Sequence, residues 1–448
     1  MNEKLEKFKM AMRGKTAALI GFGVSNRAAA KYLKSVGMNI CALDAKVTDE
    51  ARAAARDIGV ELFECEKFEN VDADLILRTP GVRPDAISIA RGELTSEVEL
   101  FVSLCPCPIY AVTGSDGKTT TTTIISKMLD AEFDGTGRRV WLGGNIGVPL
   151  LCEIDNIGDG DVCVLELSSF QLMTMKFSPR VAVVTNVSPN HLNWHTSMDE
   201  YVAAKRRIFE FQTAGCRLVT NAGNAVTWKF AADAQCEVKL FSSKGHADAE
   251  LCGGAIYIGS RRIISLSDIV IPGLHNAENL MAAMLAVDGV VSDENMRKTA
   301  STFGGVPHRA ELVLCRGGVK FYNSSIDTTP TRTIAALGAF DKKVILIIGG
   351  YDKQIPQEPL IVPLCEKTKK IFCTGGTGRA VYDMMTSAGY VGEICFLADF
   401  DEAVARAARS AVSGDVVLLS PAAASFDRFR NFEERGERFV QILKYINM

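Results

Sequence analysis

A glycine-rich segment that begins at Gly114 has the composition of a phosphate-binding loop. Residues 109–112 form a short apolar run, and the sequence Gly114-Ser115-Asp116-Gly117-Lys118-Thr119-Thr120 follows it, ahead of a helix-like apolar period. In such a unit, backbone N–H groups and the helix N-terminus face an anion, the lysine reaches the outer phosphates and the hydroxyl binds Mg²⁺. Val112 stands where the strict P-loop pattern has its first glycine. The flanking pattern nevertheless predicts nucleotide binding.

Three later residues could complete a metal and phosphate site. Glu166 ends the apolar run 162–167, where a carboxylate downstream of a P-loop could bind Mg²⁺ or could simply be solvated. His191 follows the apolar run 181–187, and this place at a strand end favours a metal ligand over a structural histidine. Lys205 lies between small residues in a predicted helix over 198–210. Because Arg206 and Arg207 follow it, a plain basic helix face is the alternative.

Three asparagines lie in a glycine-rich stretch or at the start of a predicted helix. Each could contact a ligand or could cap the local structure. Asn145, within the glycine-rich stretch 143–149, could face a ligand or cap a turn. Asn276 and Asn279 are one helical turn apart, so they share a face and could contact a nucleotide base or cap the helix.

The N-terminal segment resembles a dinucleotide-binding fingerprint without completing it. Gly21 and Gly23 follow an apolar run, and Asp44 ends a second predicted strand 21 residues beyond Gly23. The third glycine is missing, since Asn26 or Arg27 stands in its place. We therefore expect a Rossmann-like βαβ unit whose loop faces a phosphate or uridine-type ligand, but not NAD.

Strands and helices alternate along the whole chain. This alternation predicts an α/β protein with mostly parallel sheets and a site at the carboxyl ends of the strands. Composition changes place boundaries near 105 and 307, which gives three consecutive α/β domains. They are a Rossmann-like domain over 1–104, a central P-loop ATPase-type domain over 105–307 and a Rossmann-like domain over 308–448.

Composition excludes several classes of protein. The 448 residues carry a net charge of −3 without a long basic run, so no nucleic-acid partner is expected. No apolar run approaches the ~18 residues of a membrane span, and the charged N-terminus lacks a signal-peptide core. The thirteen cysteines include one close pair, Cys105 and Cys107, and no C-x-x-C pair. We therefore expect a cytoplasmic enzyme with reduced core thiols rather than a disulfide framework or a structural zinc site.

Eight motifs in order resemble the Mur ligase family, the ATP-dependent amide-forming enzymes of peptidoglycan precursor synthesis. They are TGSDGKTTT, GGNIGVP, LELSSFQL, NVSPNHLNWH with YVAAK, PGLHNAEN, GVPHRAE, GGYDK and SPAAASFDRFRNFEERG. The last two motifs and the N-terminal GFGVSN most resemble the branch that adds D-glutamate to UDP-N-acetylmuramoyl-L-alanine. The resemblance implies those two substrates together with ATP and two Mg²⁺ ions, and we expect a monomer.

The resemblance also implies a role for each candidate residue. The ATP site would comprise Gly114, Ser115, Asp116, Gly117, Lys118, Thr119, Thr120, Asn276, Asn279 and Arg309. The metal ligands would be Thr119, Glu166, His191 and a carbamylated Lys205, and catalysis would depend on Lys118, Glu166, His191 and Lys205. The UDP substrate would contact Val24, Ser25, Lys46, Asn145, Ser168 and His191, and D-glutamate would contact Lys353, Ser425 and Phe432.

Two departures from the family pattern concern the ATP and metal sites. Ser324 replaces the aspartate expected on the ATP ribose and Ile326 replaces a lysine, although Asp327 could compensate. Asn190 and Asn193 stand where aspartates are common. The alternatives are a sister Mur ligase, a folylpolyglutamate-synthase-like ligase with another amino acid, and a catalytically inactive nucleotide-binding protein.

Overall fold

The computed structural model describes residues 2–192, 194–271, 273–353 and 355–446. The positions outside this description include Asn193 and Pro272, from two of the motifs. The chain divides into two compact units, Met1–Thr302 and Phe303–Met448. None of the helices in the described part of the chain is long and apolar enough to cross a membrane.

The first sheet of unit one lies within residues 16–95 and is wholly parallel. Its strand order is β3-β2-β1-β4-β5. The strands are β1 (Thr16–Ile20), β2 (Asn39–Asp44), β3 (Glu61–Glu64), β4 (Phe68–Arg78) and β5 (Ile87–Thr95), and the helices are α1 (Glu3–Met12), α2 (Val24–Val36), α3 (Asp49–Ile58) and α4 (Glu97–Leu104). The central strand β1 is buried from its second residue onward, as its continuous apolar run predicts.

The second sheet has nine strands and carries the P-loop. The strands are β6 (Ile109–Thr113), β7 (Val140–Gly144), β8 (Val162–Glu166), β9 (Val181–Val184), β10 (Arg217–Asn221), β11 (Glu237–Ser242), β12 (Ala249–Cys252), β13 (Ala255–Ile258) and β14 (Arg261–Ser265). Their order is β14-β13-β12-β11-β10-β9-β6-β8-β7, and only the β12–β13 and β13–β14 pairs are antiparallel. Strand β6 lies between β8 and β9, so its carboxyl end is the switch point where α/β proteins bind ligands.

Six helices accompany this second sheet. They are α5 (Lys118–Phe133), α6 (Ser169–Leu172), α7 (Met198–Glu210), α8 (Thr227–Asp233), α9 (Leu274–Val287) and α10 (Asp293–Thr302). Helix α9 is apolar and buried along most of its length, whereas α7 buries only one face, which includes Lys205. The predicted bounds of α7 match the structure.

Unit two contains a six-stranded sheet in the order β15-β16-β20-β17-β18-β19. Its elements are β15 (Glu311–Arg316), β16 (Val319–Asn323), α11 (Pro330–Gly338), β17 (Val344–Gly349), α12 (Ile361–Lys367), β18 (Thr368–Thr374), α13 (Gly375–Ser387), β19 (Glu393–Phe396), α14 (Phe400–Arg409), β20 (Val416–Leu419) and α15 (Phe432–Tyr445). Only β15 pairs antiparallel. The predicted α/β class with mostly parallel sheets is confirmed.

A buried carboxylate on α4 makes the stability of unit one depend on pH. Glu97 is buried and its Oε1 accepts a hydrogen bond from the backbone N–H of Leu151, 3.0 Å away. Burial raises the pKa of Glu97 from 4.5 to about 7. Because the folded-state pKa lies above the unfolded value, ionisation opposes folding, and this penalty grows from pH 4.5 to pH 7 and is complete above pH 7.

We expect Glu97→Gln to raise the free energy of unfolding at pH 8 by up to about 3 kcal/mol, at about 1.4 kcal/mol per pKa unit. The amide oxygen can keep the bond from Leu151, so the gain should shrink toward zero as the pH falls to 4.5. Urea unfolding at several pH values measures it, with the exposed Glu294→Gln as the matched control. A loss of stability at pH 8, or a gain that does not depend on pH, would contradict this account.

Candidate active site

The predicted phosphate loop connects the carboxyl end of β6 to the N-terminus of α5. Gly114 has φ 152° and Gly117, which precedes the first helical residue, has φ 78°. A Cβ on Gly114 would collide with the hydroxyl of Thr185, and one on Gly117 would collide with the side-chain amide of Asn279. Both glycines are therefore required by close packing as well as by backbone conformation.

Side chains from the β9 loop and from α7 hold the phosphate loop in place. The Ser115 hydroxyl is 2.9 Å from the Tyr201 hydroxyl and accepts a hydrogen bond from the Ser188 N–H at 2.9 Å. The Asp116 N–H donates to Asn186 Oδ1 at 3.0 Å. The Ser115 hydroxyl and the Asp116 N–H thus hold the loop in one conformation, which preorganises the loop for an anion.

Two lysines converge on the carbonyl oxygen of Gly114. Lys118 Nζ is 3.0 Å from it and Lys205 Nζ is 2.7 Å from it. Lys205 is only 1% exposed, so the alternative of a plain basic helix face is wrong. Burial lowers the pKa of Lys205 well below its usual range, and the charge of Lys118 lowers it further, against the opposing effects of Asp116 and Glu166. This environment favours the neutral amine of Lys205 over the ammonium.

Glu166 ends β8, beside the end of β6, with which it pairs at Val112. It is 2% exposed, and its Oε1 accepts a hydrogen bond from Asn145 Nδ2 at 2.7 Å. Its Oε2 is buried without a hydrogen-bond partner among the described atoms. The alternative of a solvated strand-end glutamate is therefore wrong. A buried, unpartnered carboxylate oxygen beside a phosphate loop fits a hard cation such as Mg²⁺.

His191 and Thr119 are the other two predicted metal ligands. His191 has φ 55°, and its ring lies 5.1 Å from the ring of Phe170. Partial burial, followed by the charges of Lys118 and Lys205, lowers the pKa of His191. Neutral imidazole is the form that binds metals, so this environment suits a ligand. Thr119 lies in the first turn of α5, directly after Lys118.

Asn276 and Asn279 share one face of α9, as their spacing predicts. Asn279 is buried, and its Oδ1 accepts a hydrogen bond from the Thr121 hydroxyl at 3.3 Å. Its Nδ2 is 3.3 Å from Asn276 Oδ1. Asn279 therefore packs against the start of the P-loop helix, whereas Asn276 is partly exposed. Thr120 is also partly exposed, in the first turn of the P-loop helix.

The two candidate contacts for the sugar substrate have defined local partners. Besides its bond to Glu166, Asn145 donates its backbone N–H to the Glu166 carbonyl at 2.8 Å. Ser168 caps α6: its hydroxyl accepts from the Gln171 N–H at 3.2 Å and donates to Gln171 Oε1 at 3.0 Å. Ser168 has thus committed its only hydroxyl proton to the cap.

In the N-terminal glycine loop, an asparagine stands where a dinucleotide site has its third glycine, and its hydrogen bonds hold the loop in place. The buried Asn26 donates its side-chain amide to the carbonyls of Ile20, Gly21 and Leu77. Asp44 accepts the Phe22 N–H at 2.6 Å, so this carboxylate supports the loop rather than a ribose.

The residues predicted to contact UDP surround this loop. Val24 begins α2 with a largely exposed side chain, Ser25 follows it partly exposed, and Lys46 is exposed after β2. Gly23 precedes α2 without a side-chain cap, which leaves the first N–H groups of the helix to be satisfied by something else.

Unit two brings the segments of the predicted D-glutamate residues together. The Tyr351 N–H donates to the Ala424 carbonyl at 2.9 Å, which joins the loop of Lys353 to the loop of Ser425. Lys353 Nζ lies 5.9 Å from the centre of the Phe426 ring, and Ser425 is buried.

Phe432 begins α15, the helix that also carries Arg435. The buried Arg435 donates to the carbonyls of Ala423 and Ala424 at 3.0 Å each. It also donates to Ser325 Oγ at 3.0 Å, and this hydroxyl donates to the Phe432 carbonyl at 2.8 Å. Sequence reasoning missed Arg435, because a charged, amphipathic helix gives no signal that one arginine is buried.

Arg309 and Asp327 also lie in unit two. Arg309 is exposed and donates its backbone N–H to the Val306 carbonyl at 3.0 Å. Asp327 is buried, and its Oδ2 accepts a hydrogen bond from the Ser420 hydroxyl at 2.7 Å. Burial raises the pKa of Asp327. A ribose contact by Asp327 would have to compete with this internal partner.

A further network beside the phosphate site was missed in the sequence. His195 is buried between Ser169, whose hydroxyl lies 2.9 Å from Nε2, and Glu200, whose Oε2 lies 3.2 Å from Nδ1. Glu200 in turn accepts from Arg83 Nη2 at 2.9 Å. The Arg83 bond lowers the pKa of Glu200 to about 2. This network connects the loop after β4 to the N-terminus of α7, the helix that carries Lys205.

Comparison with known proteins finds a matching family and relatives over the full length of the chain. Residues 112–287 match the Mur ligase middle domain, and residues 308–423 match the domain described as "Mur ligase, glutamate ligase domain". The chain is 47% identical to the UDP-N-acetylmuramoylalanine–D-glutamate ligase of Acetivibrio thermocellus, with 100% of both chains covered. It is 44% identical to the enzyme of the same name from Clostridium beijerinckii, over 99% of this chain and 100% of the relative.

Solved structures show the same fold at lower identity. UDP-N-acetylmuramate-alanine ligase MurC from Thermotoga maritima aligns with a TM-score of 0.56 at 22% identity, covering 96% of this chain and 99% of that one. MurF from Acinetobacter baumannii has a TM-score of 0.56 at 15% identity, covering 97% of this chain and 92% of that one. The chain therefore belongs to the Mur ligase family.

Proposed function

We propose that this protein is an ATP-dependent ligase that joins D-glutamate to UDP-N-acetylmuramoyl-L-alanine and releases ADP and phosphate, in peptidoglycan precursor synthesis. The geometry that carries the ligase chemistry is the convergence of Lys118 and Lys205 on the Gly114 carbonyl, beside the unpartnered oxygen of Glu166. The choice of D-glutamate is supported by relatives at 42–47% identity over the full length, whose name states that amino acid.

The reaction explains why a phosphate loop and a buried carboxylate are needed. An amine cannot displace oxide from a carboxylate at neutral pH, so ATP first phosphorylates the carboxylate of the muramoyl substrate. The resulting acyl phosphate is attacked by the amine of D-glutamate, and the tetrahedral intermediate expels phosphate. Phosphoryl transfer depends on positioning and charge neutralisation more than on covalent catalysis, which suits the lysine and carboxylate pattern observed.

We assign the residues around the phosphate loop to ATP and to two metal ions. Bound Mg²⁺ would neutralise the charge that develops on the transferred phosphoryl group. Thr119, Glu166, His191 and a carbamylated Lys205 would hold the ions, and Lys118 would contact the outer phosphates. The neutral amine of the buried Lys205 can add CO₂ with loss of a proton, which converts a side chain that repels Mg²⁺ when protonated into a carboxylate that binds it. The remaining ATP contacts would come from Gly114, Ser115, Asp116, Gly117, Thr120, Asn276, Asn279 and Arg309.

We assign the other two groups of residues to the remaining substrates. The uridine diphosphate would contact Val24, Ser25 and Lys46, where the first N–H groups of α2 lack a side-chain cap. The muramoyl portion would contact Asn145, Ser168 and His191. D-glutamate would bind at Lys353, Ser425 and Phe432. We also expect the enzyme to be cytoplasmic and monomeric, and size-exclusion chromatography with light scattering would measure the latter.

The function is tested by ADP release from ATP with UDP-N-acetylmuramoyl-L-alanine and one amino acid at a time. We expect rapid release with D-glutamate, little with L-glutamate and none when the nucleotide sugar is left out. Mass spectrometry of the product should show one added glutamyl residue. Release with another amino acid would indicate a sister ligase, and no release with any would indicate an inactive nucleotide-binding protein.

The D-glutamate site gives a prediction of its own. Lys353→Ala and Ser425→Ala should each weaken D-glutamate binding by about 1.5–3 kcal/mol, the value of one hydrogen bond to a charged group. The KM for D-glutamate should therefore rise by about one to two orders of magnitude. Steady-state ADP release against D-glutamate concentration measures this, with the exposed Lys342→Ala as the matched control. If both variants kept the wild-type KM for D-glutamate, the D-glutamate pocket would have to lie elsewhere.

A further inference from the structure

Three cysteines meet at the amino end of the central sheet. Cys105 and Cys107 belong to the turn between α4 and β6, and Cys163 lies in β8, where it pairs with Ile109. Their sulfur atoms are 3.6 Å (Cys105–Cys107), 3.7 Å (Cys105–Cys163) and 3.5 Å (Cys107–Cys163) apart. In the part of the chain that the structure describes, this is the one group of three His, Cys, Asp or Glu residues close enough to hold a metal ion.

This cluster is separate from the phosphate site. It lies at the start of β6 and β8, whereas the phosphate loop and Glu166 lie at the ends of these strands. The four residue steps of β6 span about 13 Å, and the three steps from Cys163 to Glu166 in β8 span about 10 Å. The cluster therefore has no direct contact with the reacting groups, and nothing in the proposed ligase reaction uses it.

We propose that Cys105, Cys107 and Cys163 form a three-sulfur binding site for a thiophilic metal ion of the Zn²⁺, Cd²⁺ or Cu⁺ class. The three sulfurs form a nearly equilateral triangle with a mean side of 3.6 Å. The centre of such a triangle lies about 2.1 Å from each corner, and a zinc–thiolate bond is about 2.3 Å long. An outward movement of each sulfur by about 0.2 Å would therefore complete a trigonal site.

The ligand set selects the class of ion. Sulfur-only sites bind soft or borderline cations, whereas Mg²⁺ requires oxygen ligands. The catalytic Mg²⁺ of the proposed reaction would therefore not compete for this site. Binding of a divalent ion by three thiols forms three metal–sulfur bonds, breaks three S–H bonds and releases three protons to solvent.

The surroundings offer a path to the site. Cys107 and Cys163 are buried, whereas Cys105 is partly exposed and lines a surface cavity of about 540 Å³ beside the N-terminus of α1. Four carboxylates line the same cavity, from Glu3, Glu6, Asp155 and Asp159, against one lysine, Lys4. Lys9 pairs with Glu6 and Asp155, and Lys7 Nζ lies 3.7 Å from Glu3, so Lys4, Lys7 and Lys9 together leave one of the four negative charges in excess. The remaining excess of negative charge favours the approach of a cation.

Hydrogen bonds within the cluster support a thiolate at Cys105, whereas contacts within the cluster and burial raise the pKa of Cys107 and Cys163. The thiols of Cys107 and Cys163 lie within hydrogen-bond distance of the Cys105 sulfur and lower the pKa of Cys105. The thiolate is the form of cysteine that binds metals. The sequence expectation of separate core thiols without a metal site omitted Cys163, which lies 56 residues from Cys107 and reaches it only through strand pairing.

Titration of the fully reduced protein with Cd²⁺ in the absence of Mg²⁺ and ATP tests the proposal. We expect one tightly bound ion per chain, an ultraviolet sulfur-to-cadmium charge-transfer band and a higher thermal unfolding temperature. Cys163→Ser and Cys105→Ser should each weaken Cd²⁺ binding at least 100-fold, because even an outer-shell partner is worth about 10–100-fold in metal affinity. The second variant changes a partly exposed residue, so it remains informative if the first does not fold.

The controls are Cys252→Ser and Cys315→Ser, which remove exposed thiols elsewhere in the chain. Both should retain the band, the stoichiometry and the stabilisation. Cd²⁺ binding that is lost in either control and kept in Cys105→Ser would overturn the proposal, as would wild-type protein without a charge-transfer band. Formation of a disulfide within the cluster in air, with no Cd²⁺ bound after reduction, would identify a redox pair instead and would also overturn it.

Discussion

Lys118→Ala should lower the turnover number by about 10²–10³-fold or more while the nucleotide sugar still binds. The Lys118 ammonium lies at the end of the phosphate loop and donates to the carbonyls of Gly114 and Ser115, 3.0 Å from each. Bound phosphate would replace these carbonyls as its partners. Loss of one preorganised donor at developing charge costs about 10²–10³ in turnover, and this lysine carries a full charge.

The experiment separates a chemical from a structural effect. Single-turnover ADP formation measures the phosphoryl-transfer step, and calorimetry measures binding of UDP-N-acetylmuramoyl-L-alanine. Lys127→Ala is the matched control, because it removes an exposed lysine from the same helix. Near-normal ADP formation by Lys118→Ala would contradict the assignment of the loop, and equal losses in both variants would indicate damage to α5 instead.

The buried strands were predictable from the sequence for a simple reason. Strands covered on both faces are apolar along most of their length, so β6 and β8 stand out in the sequence as short apolar runs. Prediction and structure agree there within one or two residues. The phosphate loop at the carboxyl end of β6 follows directly, because strand, loop and helix are adjacent in the sequence.

Edge strands gave no such signal. Strand β5 is exposed along most of its nine residues and contains IARGELT, which has neither an apolar run nor a clean alternation. Strand β15 is only partly buried and pairs antiparallel with β16 at the sheet edge. Such strands are held by backbone hydrogen bonds to a neighbour, and the sequence does not state which neighbour is present.

The sequence allows candidate site residues to be named, but it does not give their environment. Lys205, Arg206 and Arg207 are three consecutive basic residues that the sequence does not distinguish. Only the packing of α7 shows that Lys205 alone among them is buried. His195 and Arg83 lie 112 residues apart, and both contact Glu200. Such long-range pairs depend on tertiary structure, which local patterns do not contain.

The environment of Lys205 carries the second large prediction. Lys205 is 1% exposed, and its Nζ contacts the same Gly114 carbonyl as Lys118 Nζ. Burial and repulsion by Lys118 therefore disfavour the ammonium form of Lys205. Because its pKa is lowered, the neutral amine is favoured more than in a solvated lysine, and this is the form that reacts with CO₂. Carbamylation would place a negative charge near the Gly114 carbonyl, which the Lys118 ammonium also contacts.

Lys205→Ala should therefore lower kcat by at least about 10²-fold, and a short carboxylic acid such as formate or acetate should restore part of it by occupying the vacated space. Lys205→Arg should stay inactive, because a guanidinium keeps the positive charge and cannot be carbamylated. In the wild type, ¹³C-labelled bicarbonate should give one carbamate signal that is missing from both variants. The matched control is Arg206→Ala, which removes a surface partner of Asp233 on the same helix. An active Lys205→Arg enzyme, or an alanine variant that responds equally to carboxylates and to chloride, would exclude a carbamylated lysine and leave Lys205 as a buried cation that supports the phosphate loop.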